Sequence, residues 1–475
     1  MNIRKDSRKK RRARYLYLLK GTGLFYDVVR DCLNDGEKPY TVKRETVIRD
    51  VSLCVLAPAM NAYIMWMLKA AMKKKIRRLY FLARDGYFMY TTAKKLCEML
   101  HLPIDCRYLS CSRYSVRIPM FHLNMQEALD YIVRGGIDVT LDKVFNRAGL
   151  SDTDKTDVIN DLGGDVPRGV IPYAELPKLR RALEKSGVFT EAVKRRSREA
   201  FPAAAGYLEQ EGLFEDISYA FADSGWTGSM QKVLGQLLEK CGEGRRLHGF
   251  YWGLYELPAD ADPLDYECFY FGPEFGVRRK IGFSNCLFES IFSAPHGMTL
   301  GYEQSWKKVS PVYAGIREAN KAFNEQTGVY LEEFTVRLAE RLRGLDRRAL
   351  YRKMGELGDP EKVRPLLDTF MGEPSRYEAA VYGSLPFSDD VMDEKEQQVA
   401  VVMSQEELMT NHPLKKAMIL AGISKERIRE SAWFEGSAVR GGADADRHLR
   451  AYRMYKRLLY AKKEAQRIRR KILPK

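Results

Sequence analysis

The feature that most constrains this chain is a set of short apolar runs, each ending in a polar turn that leads toward a helix-forming stretch. Arg78-Leu79-Tyr80-Phe81-Leu82-Ala83 is too short for a helix and does not alternate apolar with polar, so it predicts a strand buried on both faces. Arg84-Asp85-Gly86 then turns the chain into a helix expected from Tyr87 to about Leu100. Asp105 to Ser110 predicts a second strand, ending in Cys111-Ser112-Arg113. Ile217 to Ala222 predicts a third, followed by Asp223-Ser224-Gly225-Trp226-Thr227-Gly228-Ser229 and a helix from Met230 to about Lys240. Leu247 to Leu254 predicts a fourth. Strands alternating with helices predict an α/β fold, a parallel sheet covered by helices, with its ligand crevice at the carboxyl ends of the strands.

The remaining segments are organised around that sheet. Residues 1–44 read as a basic leader and 45–312 as the α/β domain, with a helical insertion at about 124–212. Residues 255–312 within it are loop-rich and aromatic, 313–443 read as a helical domain, and 444–475 as a basic helix whose apolar stripe runs through Leu449, Tyr452, Tyr455 and Leu459. At roughly 100–200 residues per domain, 475 residues accommodate this division and a substantial core. Val51 to Leu68 is 18 residues without a charge, which raises the question of a membrane span. Pro58 and Asn61 lie inside it and its length is marginal, so a buried core helix is expected.

Composition excludes a wholly disordered chain, a collagen and a disulfide-stapled miniprotein. The net charge of +16 is not spread evenly: residues 1–20 carry +8 and residues 447–475 carry +11, which leaves a body of −3. A nucleic-acid-binding body is therefore not expected, and the basic ends point to anionic lipid headgroups or an acidic partner. The eight cysteines include no CxxC pair; Cys97, His101 and Cys106 lack a fourth zinc ligand, and a reducing cytoplasm is the expected location, with peripheral attachment at the inner face of the membrane through the basic ends. The basic N-terminus lacks the apolar stretch and cleavage site of a secretory signal.

The turns that follow the strands carry the chemistry. Residues 223–229 join a buried strand to a helix start, where backbone N–H groups and the positive end of the helix dipole hold phosphate. Ser224, Gly225, Thr227, Gly228 and Ser229 are the candidates there, with Ser229 as a simple N-cap the plainer alternative. Parallel strands would bring Arg84, Asp85, Ser112 and Arg113 to the same edge. The guanidinium forks of Arg84 and Arg113, with Ser112, suit phosphate oxygens, while Asp85 and Asp223 suit Mg²⁺. Arg–Asp pairs that merely staple loop ends are the alternative. Glu289 and His296, seven residues apart, join Asp223 as candidates for proton transfer. Ser388-Asp389-Asp390 reads as a metal ligand set or a helix start. No GxxxxGK[ST], GxSxG or HExxH motif occurs.

The stretches LYFLARDG (Leu79 to Gly86), YLSCSR (Tyr108 to Arg113), ADSGWTGSMQ (Ala222 to Gln231) and ESIFSAPHG (Glu289 to Gly297) resemble a bacterial family found with surface-polysaccharide biosynthesis genes. Its members are usually labelled predicted hydrolases of the haloacid-dehalogenase superfamily. The resemblance covers roughly residues 45–310 and Phe387 to Asp390. That superfamily needs an Asp nucleophile after a strand and a second Asp two residues later; here Gly225 follows Asp223 and Tyr87 follows Asp85 at that spacing. Asp152/Asp154, Asp260/Asp262 and Asp444/Asp446 have the spacing but follow no predicted buried strand. The loops at 83–86 and 222–229 are also similar to those of type I phosphoribosyltransferases, which implies Rossmann-like βα units and sugar-phosphate binding. The second carboxylate usual beside the one at Asp223 is missing, and a long insertion separates the two loops.

The resemblance and the residues together lead to the expectation of an enzyme of cell-surface polysaccharide biosynthesis. It would bind a phosphorylated sugar, with Mg²⁺, and transfer a glycosyl or phosphoribosyl group. A phosphatase of the haloacid-dehalogenase type and a non-catalytic, membrane-associated scaffold are the alternatives.

Overall fold

The computed structural model describes residues 8–34, 44–136, 139–163, 167, 169–387, 397–424, 426–442 and 444–472. Its centre is a five-stranded, fully parallel sheet: β1 (Arg78–Leu82), β2 (Asp105–Leu109), β3 (Tyr219–Trp226), β4 (Gly249–Leu254) and β5 (Tyr266–Phe271), in the order β2-β1-β3-β4-β5. The fold is α/β, as the alternation of apolar runs and helices predicts. β1 and β4 are buried throughout, whereas the edge strands β2 and β5 are buried mainly toward their carboxyl ends. The period of two separates the side chains onto opposite faces. Leu79 and Phe81 of β1 join one apolar core with Ala220, Phe250 and Trp252, while Tyr80 and Leu82 join another with Tyr219 and Phe221.

The strand order reverses beside β1. The chain leaves β1 for β2 on one side, and after a long helical stretch returns to β3 on the other. A doubly wound sheet opens a crevice at such a reversal, between the carboxyl ends of β1 and β3. Part of the intervening stretch has its own core, from Tyr114 to Val193 and including Leu129, Phe145 and Phe189. Residues 313–443 pack differently: Phe334, Leu338, Phe370 and Trp433 share the core that lies on one face of the sheet.

The long apolar segment lies in a continuous helix, Arg44–Lys73, and 94% of its most apolar window is buried inside the protein. Tyr63 and Trp66 pack on Trp252, Phe250 and Phe269 of the sheet. The Asn61 amide nitrogen is satisfied internally, donating to Ala57 O at 3.0 Å and Thr335 Oγ1 at 3.1 Å. Ser52–Leu56 form a wider π-helical turn just before Pro58. Proline brings no N–H and crowds the preceding turn, and the widening accommodates both.

The first and last described helices are woven into the body. Arg11 of the helix Arg8–Leu19 is buried, donates to Thr369 O at 2.7 Å and pairs with buried Glu378 at 2.8 Å. Tyr15 donates to the same carboxylate at 2.6 Å. The C-terminal helix, Ala445–Ile472, lays Leu449 and Tyr452 against Phe434, whose ring centroid lies 4.2 Å from that of Tyr452. The aromatic, loop-rich 255–312 region also forms regular structure: β5, the short helices Val277–Ile281 and Asn285–Phe292, and a hairpin of β6 (Thr299–Ser305) and β7 (Lys308–Tyr313).

Candidate active site

The β1–β3 crevice is built from the turns that close each strand. After β1 the chain turns through residues 83–85 into the helix Gly86–Met99. Gly86 lets that helix start against the strand, since a Cβ there would sit 3.0 Å from the Phe81 carbonyl carbon. Asp85 precedes the helix without capping it; its carboxylate Oδ2 instead accepts from Ser224 Oγ across the crevice at 2.6 Å.

β3 is longer than the sequence suggests. The expected turn at Asp223 is strand: Asp223, Gly225 and Trp226 pair with Tyr251, Gly253 and Leu254 of β4. Gly225 makes this fit, because a Cβ there would lie 2.0 Å from the Gly253 carbonyl oxygen and its φ is +133°. Asp223 is therefore held inside the sheet, where its Oδ1 accepts from the Ser224 N–H at 2.8 Å. The turn proper is Thr227-Gly228. Thr227 is exposed, Gly228 sits at φ +63°, and the helix Ser229–Lys240 begins without a side-chain cap. Ser229 is its first residue rather than its N-cap.

The other loops supply a base, a histidine and an arginine. Glu289, on the helix Asn285–Phe292, accepts from the Trp226 indole Nε1–H at 2.7 Å. His296 Nδ1 lies 2.8 Å from Gly297 O, and its Nε2 lies 2.8 Å from the Tyr108 hydroxyl. A carbonyl only accepts, so the proton is assigned to Nδ1, and Nε2 accepts from Tyr108. Ser112 is committed elsewhere: its hydroxyl accepts from Ser115 N at 3.0 Å, capping the helix Arg113–Arg117, and donates to Thr299 O at 2.6 Å. Arg84 and Arg113 are exposed, and neither guanidinium has a hydrogen-bond or ion-pair partner among the described residues. Ser388-Asp389-Asp390 lies outside the described residues.

Electrostatics bind these groups into one site. Burial, reinforced by the charge of Asp85, pushes the Asp223 carboxyl up from 3.8 to about 8. Burial and Asp85 likewise push Glu289 up to about 7. Asp85 itself is raised by burial, against the pull of the Ser224 hydrogen bond, Arg84 and Arg113. His296 is lowered, by burial first and by the Arg84 charge as well, which keeps it neutral. Thus Asp85 acts on both Asp223 and Glu289, Arg84 and Arg113 act on these carboxyls, and Arg84 acts on His296. Two carboxyls with opposite-signed neighbours, held near neutrality by burial, are suited to giving and taking protons.

Among the described residues, no three Asp, Glu, His or Cys side chains meet as a metal-ligand group. Mg²⁺ is commonly held by only one or two carboxylates together with substrate phosphates and water. Asp85 and Asp223 fit that mode by chemistry: both are oxygen donors, and their mutual repulsion is what a cation relieves.

Tyr108 and Trp226 belong to the site although the sequence reading gave them no role. Each sits near the carboxyl end of a strand and carries a donor on an aromatic ring, which is the signal that could have marked them. No protein-family model matches the chain, and no curated protein matches it.

Proposed function

We propose that this protein is an enzyme that binds a phosphorylated sugar in the β1–β3 crevice and transfers a glycosyl or phosphoribosyl group, in the assembly of a cell-surface polysaccharide. The observation that carries this reading is two exposed arginines, Arg84 and Arg113, without ion-pair partners among the described residues, whose charges act on three carboxyls, the buried Asp223 and the half-buried Asp85 and Glu289. The arginines suit the phosphate of the donor, and the hydroxyls of Thr227 and Ser229 with the uncapped helix start suit its remaining oxygens.

Glycosyl transfer from a phosphate leaves negative charge on the departing oxygen and requires the acceptor hydroxyl to lose a proton. Arg84 and Arg113 would neutralise the first; Glu289, poised at about 7, would take the second. His296, neutral and donating from Nδ1 to Gly297, holds the Tyr108 hydroxyl beside the carboxyls. Mg²⁺, held by Asp85 and Asp223, would supply charge neutralisation at the phosphate. The assignment to polysaccharide assembly rests on the family resemblance.

Turnover assays separate this reading from its alternatives. Purified protein is incubated with phosphoribosyl pyrophosphate or sugar phosphates, Mg²⁺ and candidate acceptors. Transfer that disappears in Glu289→Gln supports it. Release of phosphate from a general phosphomonoester without any acceptor supports the phosphatase instead, and inertness toward every phosphorylated ligand supports the scaffold.

A further inference from the structure

The first and last described helices, both rich in basic residues, meet in space. Arg14 Nη2 and Arg453 Nη2 each lie 2.9 Å from Glu373, one on either carboxylate oxygen, so the first and last helices flank the same residue. Part of the basic charge is used inward, as in Arg11–Glu378 and Lys456–Glu435, the latter at 2.8 Å. Another part is not: Lys9, Lys20, Arg450, Arg457 and Lys462 are exposed and have no ion-pair partner among the described residues.

Aliphatic side chains stand among these cations. Met454 and Leu458 are 52% and 58% exposed and follow Arg450 at helical spacing, on the same outward face as Arg457 and Lys462. The helix Pro413–Leu420 packs beside them through Lys416 over the Tyr455 ring and His412 against His448. It and its following turn expose Leu414, Leu420 and Ile423 by 77%, 71% and 72%. A polyanion such as nucleic acid would use the cations but leave the aliphatic groups in water. An interface of lipid headgroups and acyl chains takes both at once.

We propose that this face, formed by the C-terminal helix and the helix Pro413–Leu420, docks on an anionic lipid bilayer. The cations contact headgroups and the aliphatic side chains enter the acyl boundary. The inference stands apart from the crevice chemistry and does not depend on it.

The test is co-sedimentation of the full chain with phosphatidylcholine vesicles and with vesicles containing about one-third phosphatidylglycerol. The protein is expected on the anionic vesicles only, with binding weakened by salt. Each basic residue near the surface is worth about fivefold in partitioning, so Arg450→Ala/Arg457→Ala is expected to weaken it about 25-fold. Leu414→Glu/Leu420→Glu is expected to abolish the salt-resistant part. All four positions are exposed, so unchanged circular dichroism and melting identify variants that are folded. Equal binding to both vesicle types, no binding, or binding indifferent to these substitutions overturns the proposal. So does binding of RNA or self-association that the same variants abolish while vesicles remain unbound.

Discussion

Replacing Asp223 by Asn should make the protein more stable at neutral pH while removing its function. Asp223 lies inside β3, beside Asp85 and Glu289, and its carboxyl is raised from 3.8 to about 8. A carboxyl raised in the folded state contributes fully below its unfolded value, and its contribution is lost as pH rises through the folded value. At pH 7 roughly three pH units of that interval have been crossed, at about 1.4 kcal/mol each, so the native site costs about 4 kcal/mol of folding stability. At pH 5 the cost is only about 1–2 kcal/mol. Asn keeps the Oδ1 that accepts from the Ser224 N–H, carries no titrating proton, and escapes the repulsion that Asp85 and Glu289 exert on the Asp223 carboxylate. Urea unfolding of both proteins at pH 5, 6 and 7 should show Asp223→Asn the more stable, with an advantage that grows with pH. An Asn variant less stable than the parent at pH 7, or a difference that is the same at pH 5 and pH 7, refutes the reasoning.

Other outcomes follow from the same structure. Arg11→Ala or Glu378→Ala leaves a buried charge unpaired and should cost about 3–5 kcal/mol in urea unfolding. Arg11→Met with Glu378→Leu should recover much of that loss. Gly225→Ala drives a Cβ into the Gly253 carbonyl and should abolish soluble expression, whereas Gly301→Ala, with nothing within 4 Å, should change the melting temperature little. Tyr108→Phe removes the donor to the neutral His296 ring, so the histidine pKa followed by NMR should rise from its lowered position.

The fold was legible where burial makes the sequence emphatic. β1 and β4 are buried on both faces and read as continuous apolar runs, which is why Arg78–Leu82 and Gly249–Leu254 stand within the predicted strands. β5 was not legible, because Tyr-Glu-Cys-Phe-Tyr-Phe at a sheet edge is indistinguishable from the aromatic loops around it. The end of β3 was misread since Asp, Ser and Gly usually mark turns; here the Gly225–Gly253 contact carries the strand onward.

The same contrast runs through the site. The three strand-end loops were visible as local motifs, and a parallel sheet necessarily brings them together. What a motif could not show is which polar groups the fold consumes: Ser112 is occupied as a cap, while Tyr108 and Trp226 turn their donors onto His296 and Glu289. The basic leader was likewise misleading as charge alone, since the partner of Arg11 lies 367 residues away.

The central claim is that the β1–β3 crevice holds a phosphorylated ligand between Arg84 and Arg113. Calorimetric titration of the protein and of Arg84→Ala/Arg113→Ala, with phosphoribosyl pyrophosphate and a set of sugar phosphates, tests it most directly. Saturable binding to the parent that falls at least 100-fold in the double variant, with the circular dichroism spectrum unchanged because both side chains are exposed, is the result expected. No binding of any phosphorylated ligand, or binding that survives the loss of both arginines, contradicts it.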